Sequence, residues 1–473
     1  LREQLHPWRL AFDLWRTRRE GEKGVALRRE RRLAGLVSHA RLHSPFYRRL
    51  YAKLPEGRVP LENLPPVSKS QLMAAFDDWI TDQALGRAGV EAILAEAVTT
   101  GLAYRDGLFV CTSSGTTGQP GIFVHDRMAI DVYRVLNAFR LSLVWLGVRD
   151  WLELGRRGIR WAAVMAAAGP FIGAGWLELE RRRSAWKSRA YRVFPIERPL
   201  AELAAGIGAF DPTILSGYPS ALDLLAEEQL AARLHLRPVL IESAGESMTE
   251  AARSRMETAF GIPVHVAYGA SEFLALGASC PHGWIHVNSD WAILEPVDED
   301  FRPTPQGEPS YTVLLTNLAN RIQPIIRYDL GDSIIVRPDR CPCGNHLQAI
   351  RVAGRCDDIL RFVAADGRPV AVLPLAIGSV LDGVPGLHRS QLVQTGPSTV
   401  HLRLAATAGS DIEGLWHQVT ADLRSFLVAQ GLAEVEIVRA EEPPEQSGRS
   451  GKFRQVIRAT GTRLARAGYG RVL

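Results

Sequence analysis

The chain has 473 residues, too many for one small core, so two or more domains are expected. Hydrophobic residues make up 46% and charged residues 23%, as in an ordinary globular protein, and five cysteines, an odd number, speak against a disulfide framework and fit a reducing cytoplasm. The net charge of +5 gives no reason to expect a nucleic-acid partner, but it is unevenly placed: residues 1–53 hold 14 Lys/Arg against 5 Asp/Glu.

In chain order, residues 1–32 read as a basic helical arm packed on the large domain and not needed for the chemistry. Trp8, Phe12 and Trp15 stand at i, i+4 and i+7, an apolar face that must bury against the protein, a partner or a membrane surface. The charge is either a solvated helix face or a contact to an anionic partner or peripheral membrane surface. Residues 1–25 lack a continuous apolar core, so no secretory leader is expected there. Leu33, Leu36, Val37 and Ala40 predict an amphipathic helix over about 26–42, ended by Pro45, and "LPPVSK" (64–69) reads as an extended connector. The run Trp161–Leu177, "WAAVMAAAGPFIGAGWL", is broken by Gly-Pro and two further glycines and reads as buried loop and helix, not a membrane span.

From there strands and helices alternate. "PTILSG", "PVLIESAGE" and "VHVAYGASE" each read as a strand running into a loop, and Thr249 caps a helix that ends at Phe260 before Gly261. This pattern predicts a largely parallel sheet with ligand-binding loops at the strand C-termini. After about residue 356 the texture changes. "VHLRL" (400–404) and "VEIV" (435–438) alternate, and Leu415, Val419, Leu423 and Phe426 form a helical stripe closed by Gly431. The fold class expected is therefore a large α/β N-terminal domain, residues 1–355, with mixed or parallel sheets flanked by helices, followed by a small, mobile α+β domain, residues 356–473.

The chemistry-bearing stretches stand in a definite order. "TSSGTTGQPG" (112–121) cannot be a stable helix or a central strand, because glycine and proline break both and its hydroxyls compete for backbone hydrogen bonds. It reads as a loop rich in N–H and O–H donors suited to phosphate oxygens. It is not a Walker A loop, since no lysine follows the glycine. "YGASE" (268–272) ends a strand and offers Glu272, "RYDLGD" (327–332) offers Asp332, "GRCDD" (354–358) lies at the domain boundary, and "SGKFR" (450–454) sets Lys452 in a glycine-flanked loop. A second constellation combines Cys280, His282 and His286 of "CPHGWIH" with Cys341 and Cys343 of "CPCG", a set suited to tetrahedral zinc. Cys111 and Cys356 read as core residues.

Together with "HSPFYRRLY" and "LPPVSKSQL", these motifs resemble the adenylate-forming superfamily of acyl-CoA synthetases, luciferases and peptide-synthetase adenylation domains. Within it the chain is similar to the phenylacetate–CoA ligase family, on the branch that includes the capsule-biosynthesis relatives. The resemblance spans nearly the whole chain. It implies activation of a carboxylic acid, aromatic or another small organic acid, by ATP with Mg²⁺, and transfer of the acyl group to CoA. It also implies site roles. Thr112, Ser113, Ser114, Gly115, Thr116, Thr117 and Gly118 would hold the β- and γ-phosphates. Gly245, Glu246, Tyr268, Gly269, Ala270 and Ser271 would line the nucleotide site, with Tyr268 against the adenine. Glu272 would bind Mg²⁺, Asp332 the ribose hydroxyls, and Arg355 the ribose or a phosphate. Lys452 would bridge carboxylate and α-phosphate, and Asp357 would mark the hinge. A structural zinc would take Cys280, His286, Cys341 and Cys343. The segment after the hinge, "DDILRFVAADGRPVAVLPL", departs from the aryl-CoA ligases and resembles the capsule-type relatives, which leaves the acceptor open between CoA and an amine, a hydroxyl or a carrier-protein thiol. A nucleotide-binding scaffold without turnover is the reading from another class.

Overall fold

The computed structural model describes residues 6–445 and 453–459, apart from short stretches at 101, 114–120, 168–169, 197, 199, 356–359, 368, 373–376, 379, 382–383 and 408. The chain divides into two compact units, one of residues 1–245, 255–330 and 334–351, the other of residues 246–254, 331–333 and 352–473.

The chain enters through α1, Pro7–His43. Gly21 interrupts it at φ +63° and ψ −146°. On a straight helix, Asp13 would lie about 22 and 28 Å from Arg28 and Arg32. Yet it pairs with both, at 2.7 and 2.5 Å, so the chain doubles back at the glycine. The sequence had indicated one arm; it is a helical hairpin. It packs through Leu10, Leu14, Thr17, Val25, Leu36 and Val37. Trp8, Phe12 and Trp15 are 63, 54 and 51% exposed, so the aromatic face is not the packing face. Arg32 fixes the second half of the hairpin. It stacks on Trp291, 3.4 Å from the ring centre, and donates to the Asp290 carbonyl at 2.6 Å. The Asp290 carboxylate is fully buried and takes a two-pronged contact from Arg140 at 2.6 and 2.9 Å. Burial alone would raise its pKa; the Arg140 and Arg32 guanidiniums hold it below the usual carboxylate range.

Pro45 does not simply end α1. Ser44 closes that helix and caps the next, Pro45–Leu50, by accepting the Tyr47 N–H, and proline sits at a first-turn position where its missing N–H costs nothing. "LPPVSK" is extended up to Val67, which bridges Tyr328, and Ser68 then opens a helix with a capping box to Gln71. Residues 44–81 lie on the 320s. The Tyr47 hydroxyl and the Trp79 indole both donate to the Pro324 carbonyl, at 3.1 and 2.6 Å, and the Thr81 N–H donates to Ile322.

Three sheets build the first unit. β1 (Tyr104–Arg105), β2 (Leu108–Thr112) and β3 (Ile122–His125) form an antiparallel ribbon. β4 (Trp161–Met165), β5 (Tyr191–Pro195), β6 (Ile214–Gly217), β7 (Leu240–Ala244) and β8 (Val264–Ala270) pair in parallel in the order β5-β4-β6-β7-β8. The sheet continues antiparallel through β9 (Phe273–Ser279) and β10 (Ile285–Val287). A third sheet holds β11 (Ala292–Val297), β12 (Thr312–Asn317) and β13 (Tyr328–Asp329). β14 (Asp332–Val336) and β15 (Ala349–Arg355) complete the large sheet at nine strands. The alternation read from the sequence is thus the parallel half of a mixed sheet. The run Trp161–Leu177 is a correction: its first five residues are β4, and the helix Ile172–Arg181 follows.

The second unit carries a ribbon of β16 (Leu360–Val363) and β17 (Pro369–Val372) and a four-stranded sheet. The latter pairs β18 (Leu387–Gln394), β19 (Thr399–Ala406), β20 (Glu436–Arg439) and β21 (Val456–Arg458) in the order β20-β19-β18-β21. The helix Ile412–Ala429 buries Leu415, Val419, Leu423 and Leu427 in the core of this unit. Leu427, not Phe426, completes the stripe; Phe426 is half-buried at its edge. Among the described residues, no helix is long and apolar enough to cross a membrane.

Candidate functional site

The site in the first unit is built at the mouth of the donor-rich loop. β2 ends at Thr112, whose N–H donates to Pro170 at 2.9 Å. The Ser113 N–H donates to the Gly121 carbonyl at 2.9 Å, and the Gly121 N–H returns a bond to Ser113 Oγ at 2.8 Å. This reciprocal pair clamps the two ends of the loop. Ser114, Gly115, Thr116, Thr117 and Gly118 lie outside the described residues.

Facing this mouth is the turn after β8. At Gly269 the pairing with β9 slips, and a side-chain carbon there would stand 2.1 Å from the Leu274 carbonyl oxygen, so only glycine fits. The slip leads from half-buried Tyr268 through Ala270 into the tight Ser271–Glu272 turn. Glu272 is buried, and Ser271 Oγ approaches the Thr112 carbonyl at 3.5 Å, so the structure brings Thr112, Ser113, Ser271 and Glu272 together.

The turn is held from beneath by polar groups that the sequence reading did not single out. Asn317, at the end of β12, donates one amide hydrogen to the Glu272 carbonyl at 2.8 Å and another to the Tyr133 hydroxyl at 3.0 Å. That hydroxyl donates to His125 Nδ1 at 3.2 Å, and His125 Nε2 donates to the Ser271 carbonyl at 2.9 Å. The donor inventory fixes the imidazole tautomer, with the proton on Nε2. All three side chains are buried, and burial lowers the His125 pKa to about 4, so the ring is neutral. Cys111 is buried beside them, its Sγ 3.6 Å from the Ser271 carbonyl. The signals in the sequence were a lone histidine in the apolar strand "IFVH" and an asparagine closing "TVLLTN".

The other expected residues are divided between the two units. Gly245 ends the first stretch of the first unit at φ +86°. Glu246, in the second unit, accepts the Phe453 N–H at 2.7 Å, one residue after Lys452 in sequence. Asp332 opens β14 and is 9% exposed. Arg355 is the last residue of β15. Lys452, Asp357 and Cys356 lie outside the described residues.

The cysteines gather. The ligand atoms of Cys280, His286, Cys341 and Cys343 all lie within 4.8 Å of one another. Cys280 Sγ is 3.7 Å from Cys341 Sγ, and Cys343 Sγ is 3.1 Å from His286 Nε2. His286 Nδ1 donates to the Leu347 carbonyl at 3.1 Å, which turns the lone pair of Nε2 toward the thiols. His282 is exposed and lies outside the group. The N–H groups of Gly283 and Gly344 donate to the carbonyls of Cys280 and Cys341. The N–H donors toward sulfur are those of Cys343, to Cys341, and Asn345, to Cys343. Arg337 and Arg351 stack on Trp284 at 5.0 and 4.4 Å, next to the group.

Because His125 titrates near 4 when folded and near 6.5 when unfolded, the unfolded chain binds the extra proton between those values. The stability that His125 contributes is complete above pH 6.5 and is lost as the pH falls toward 4, by about 3 kcal/mol. Urea unfolding of the protein against His125→Gln, measured across this window, should show a flatter pH dependence in the variant.

No protein-family model matches the chain. A phenylacetate–coenzyme A ligase of Thermus thermophilus is 29% identical over 377 residues, which cover 77% of this chain and 76% of the relative. The CapK protein of Staphylococcus aureus is 24% identical over 160 residues, 33% of this chain and 34% of that protein. A solved structure of 2-hydroxyisobutyryl-CoA ligase in the postadenylation state, in complex with R3-HIB-AMP, aligns with a TM-score of 0.65 at 21% identity, covering 94% of this chain and 91% of the other. At that identity, the structural likeness is one of fold.

Proposed function

We propose that this chain, a member of the adenylate-forming superfamily on its phenylacetate–CoA ligase-like branch, is an ATP-dependent acid–CoA ligase. A carboxylate is a poor acyl donor. Attack of its oxygen on the α-phosphorus of ATP expels pyrophosphate and leaves a mixed anhydride with AMP, from which the CoA thiol takes the acyl group and releases AMP. The observation that carries this reading is the junction of the clamped donor-rich loop with the Ser271–Glu272 turn.

In this reading the 112–118 loop holds the β- and γ-phosphates through N–H and hydroxyl donors. Gly245, Glu246, Gly269 and Ala270 line the nucleotide, Tyr268 lies against the adenine, and Asp332 accepts from the ribose hydroxyls. Glu272 is the carboxylate for Mg²⁺, which when bound neutralises phosphate charge. Arg355 contacts the ribose or a phosphate, Lys452 meets the charge that develops between carboxylate and α-phosphate, and Asp357 is the hinge. The buried network under residues 271–272 fixes the Glu272 backbone without touching substrate. The enzyme works in the cytoplasm, where its four described cysteines, all free, stay reduced. The expected result is acid-dependent exchange of labelled pyrophosphate into ATP, with CoA-dependent release of AMP. Lys452→Ala should lower the exchange ~10²–10³-fold while ATP binding and use of a supplied acyl-adenylate persist. Unchanged exchange would remove Lys452 from the chemistry.

Cys280, His286, Cys341 and Cys343 fit a closed structural zinc site: three sulfurs, one imidazole nitrogen with its other nitrogen engaged, and N–H donors to offset the charge. The ion would join the β9–β10 turn to the segment before β15. Protein purified without added zinc or nickel resin should carry about one zinc per chain, and Cys341→Ser/Cys343→Ser should lose both zinc and melting temperature. A zinc content near zero, or full stability of the double variant, would leave only reduced neighbours.

The exposed face of α1 supports a peripheral contact with an anionic lipid surface. Phe12 and Trp15 stack at 5.5 Å, and Arg9 and Arg19 lie over Trp8 and Trp15, pairing aromatic area with positive charge. Sedimentation with phosphatidylserine vesicles should be salt-sensitive and weaken in Trp8→Ser/Trp15→Ser. Equal recovery with phosphatidylcholine vesicles, or none with either, would refute it.

A further inference from the structure

One ionisable side chain within the parallel sheet has no part in the reaction described above. Glu242 lies on β7 with Ser216 of β6 and His265 of β8 as its register partners, so the three side chains form a row on one face. Both neighbours are engaged elsewhere. Ser216 Oγ accepts the Trp161 indole N–H at 2.7 Å, and the His265 ring stacks on Trp145 at 4.9 Å. Among the described residues, no hydrogen bond or ion pair reaches the Glu242 carboxyl. Desolvation raises its pKa to about 7.

The same face is covered by apolar side chains toward one end and carries small residues toward the other. Toward the start of the strands, Trp145, Leu146, Leu154 and Leu240 pack over it. Toward the C-terminal ends, the next residues on the face are Ala244 and its partner Ala267, both half-buried, followed by exposed Gly269. Only the small residues Ala244 and Ala267 therefore separate Glu242 from the strand ends that lead to the Tyr268–Glu272 turn. An unpartnered, half-buried carboxyl costs stability, and such a group persists where a ligand satisfies it.

Resting on the adenylating reading, we propose that Glu242 receives the far end of the acid. The substrate is an acid that carries, away from its carboxyl group, an amino or hydroxyl substituent that donates to Glu242. An acid ending in a methyl group would leave the carboxyl unpaired and be rejected, since sites built for a polar partner discriminate strongly against its absence.

The test uses 4-aminobenzoate, 4-hydroxybenzoate, the matching amino- and hydroxy-phenylacetates and their methyl isosteres, on the wild type, Glu242→Gln and Glu242→Leu. Binding is read by calorimetry and turnover by pyrophosphate exchange. The expected result is tighter binding of donor-bearing acids to the wild type, by about 10²-fold over the isostere, reversed in Glu242→Leu and intermediate in Glu242→Gln. Glu242→Leu should also melt at or above the wild type, because it removes an unsatisfied carboxyl. Equal preference in wild type and Glu242→Leu, or a lower melting temperature with unchanged selectivity, would overturn the assignment. Glu242-dependent binding without exchange for any acid would overturn the adenylating reading and leave the Glu242 contact standing. Exchange with an unaltered preference would do the reverse.

Discussion

The chain of hydrogen bonds Asn317–Tyr133–His125–Ser271 is the constraint on which the first-unit site depends. Each link uses one donor and one acceptor, and the branch from Asn317 to the Glu272 carbonyl anchors the next residue of the same turn. In a low-dielectric interior, a network of this kind is worth most when complete and costs most when one member is missing. It ties three separate elements, β3, the helix Arg127–Leu136 and β12, to two consecutive peptide carbonyls. The position of the Glu272 main chain is thereby set by buried, neutral groups. The histidine among these supporting groups stays neutral at neutral pH.

Much of the fold could be read in the sequence where local chemistry and tertiary structure agree. The alternation over residues 214–270 gave β6, β7 and β8, and Thr249 and Gly261 bracket their helix as their side-chain and backbone preferences require. The misreadings arise where two physical outcomes share one pattern. "WAAVM" has too few branched residues to announce a strand, and its pairing on both sides with β5 and β6 decides it. A glycine in a helical pattern is usually tolerated, and the reversal at Gly21 is revealed only by the Asp13–Arg28 and Asp13–Arg32 pairs. Pro45 can follow one helix or begin another, and here it does both.

The site was legible in part for the same reason. Glu272 and the cysteines sit in turns whose composition is unusual, so residue type points to chemistry. His286 is buried among the thiols and His282 is exposed, a difference that spacing does not encode. The Tyr133–Asn317 contact joins residues 184 apart, and neither is unusual in its own stretch. Glu242 was visible as a charge inside the apolar strand "VLIESA", yet only the register with Ser216 and His265 gives it surroundings.

The carbonyl of Pro324, which receives both Tyr47 and Trp79, sits 277 and 245 residues downstream of its donors. During synthesis, those two aromatic groups leave the ribosome long before their acceptor exists. At a typical ~5–20 residues per second, the wait is roughly 10–50 s. For that time the segment around residues 44–81 presents Tyr47, Tyr51, Phe76 and Trp79 without the surface that later buries them. A chain that stops before residue 324 therefore lacks the carbonyl that receives Tyr47 and Trp79 in the complete fold.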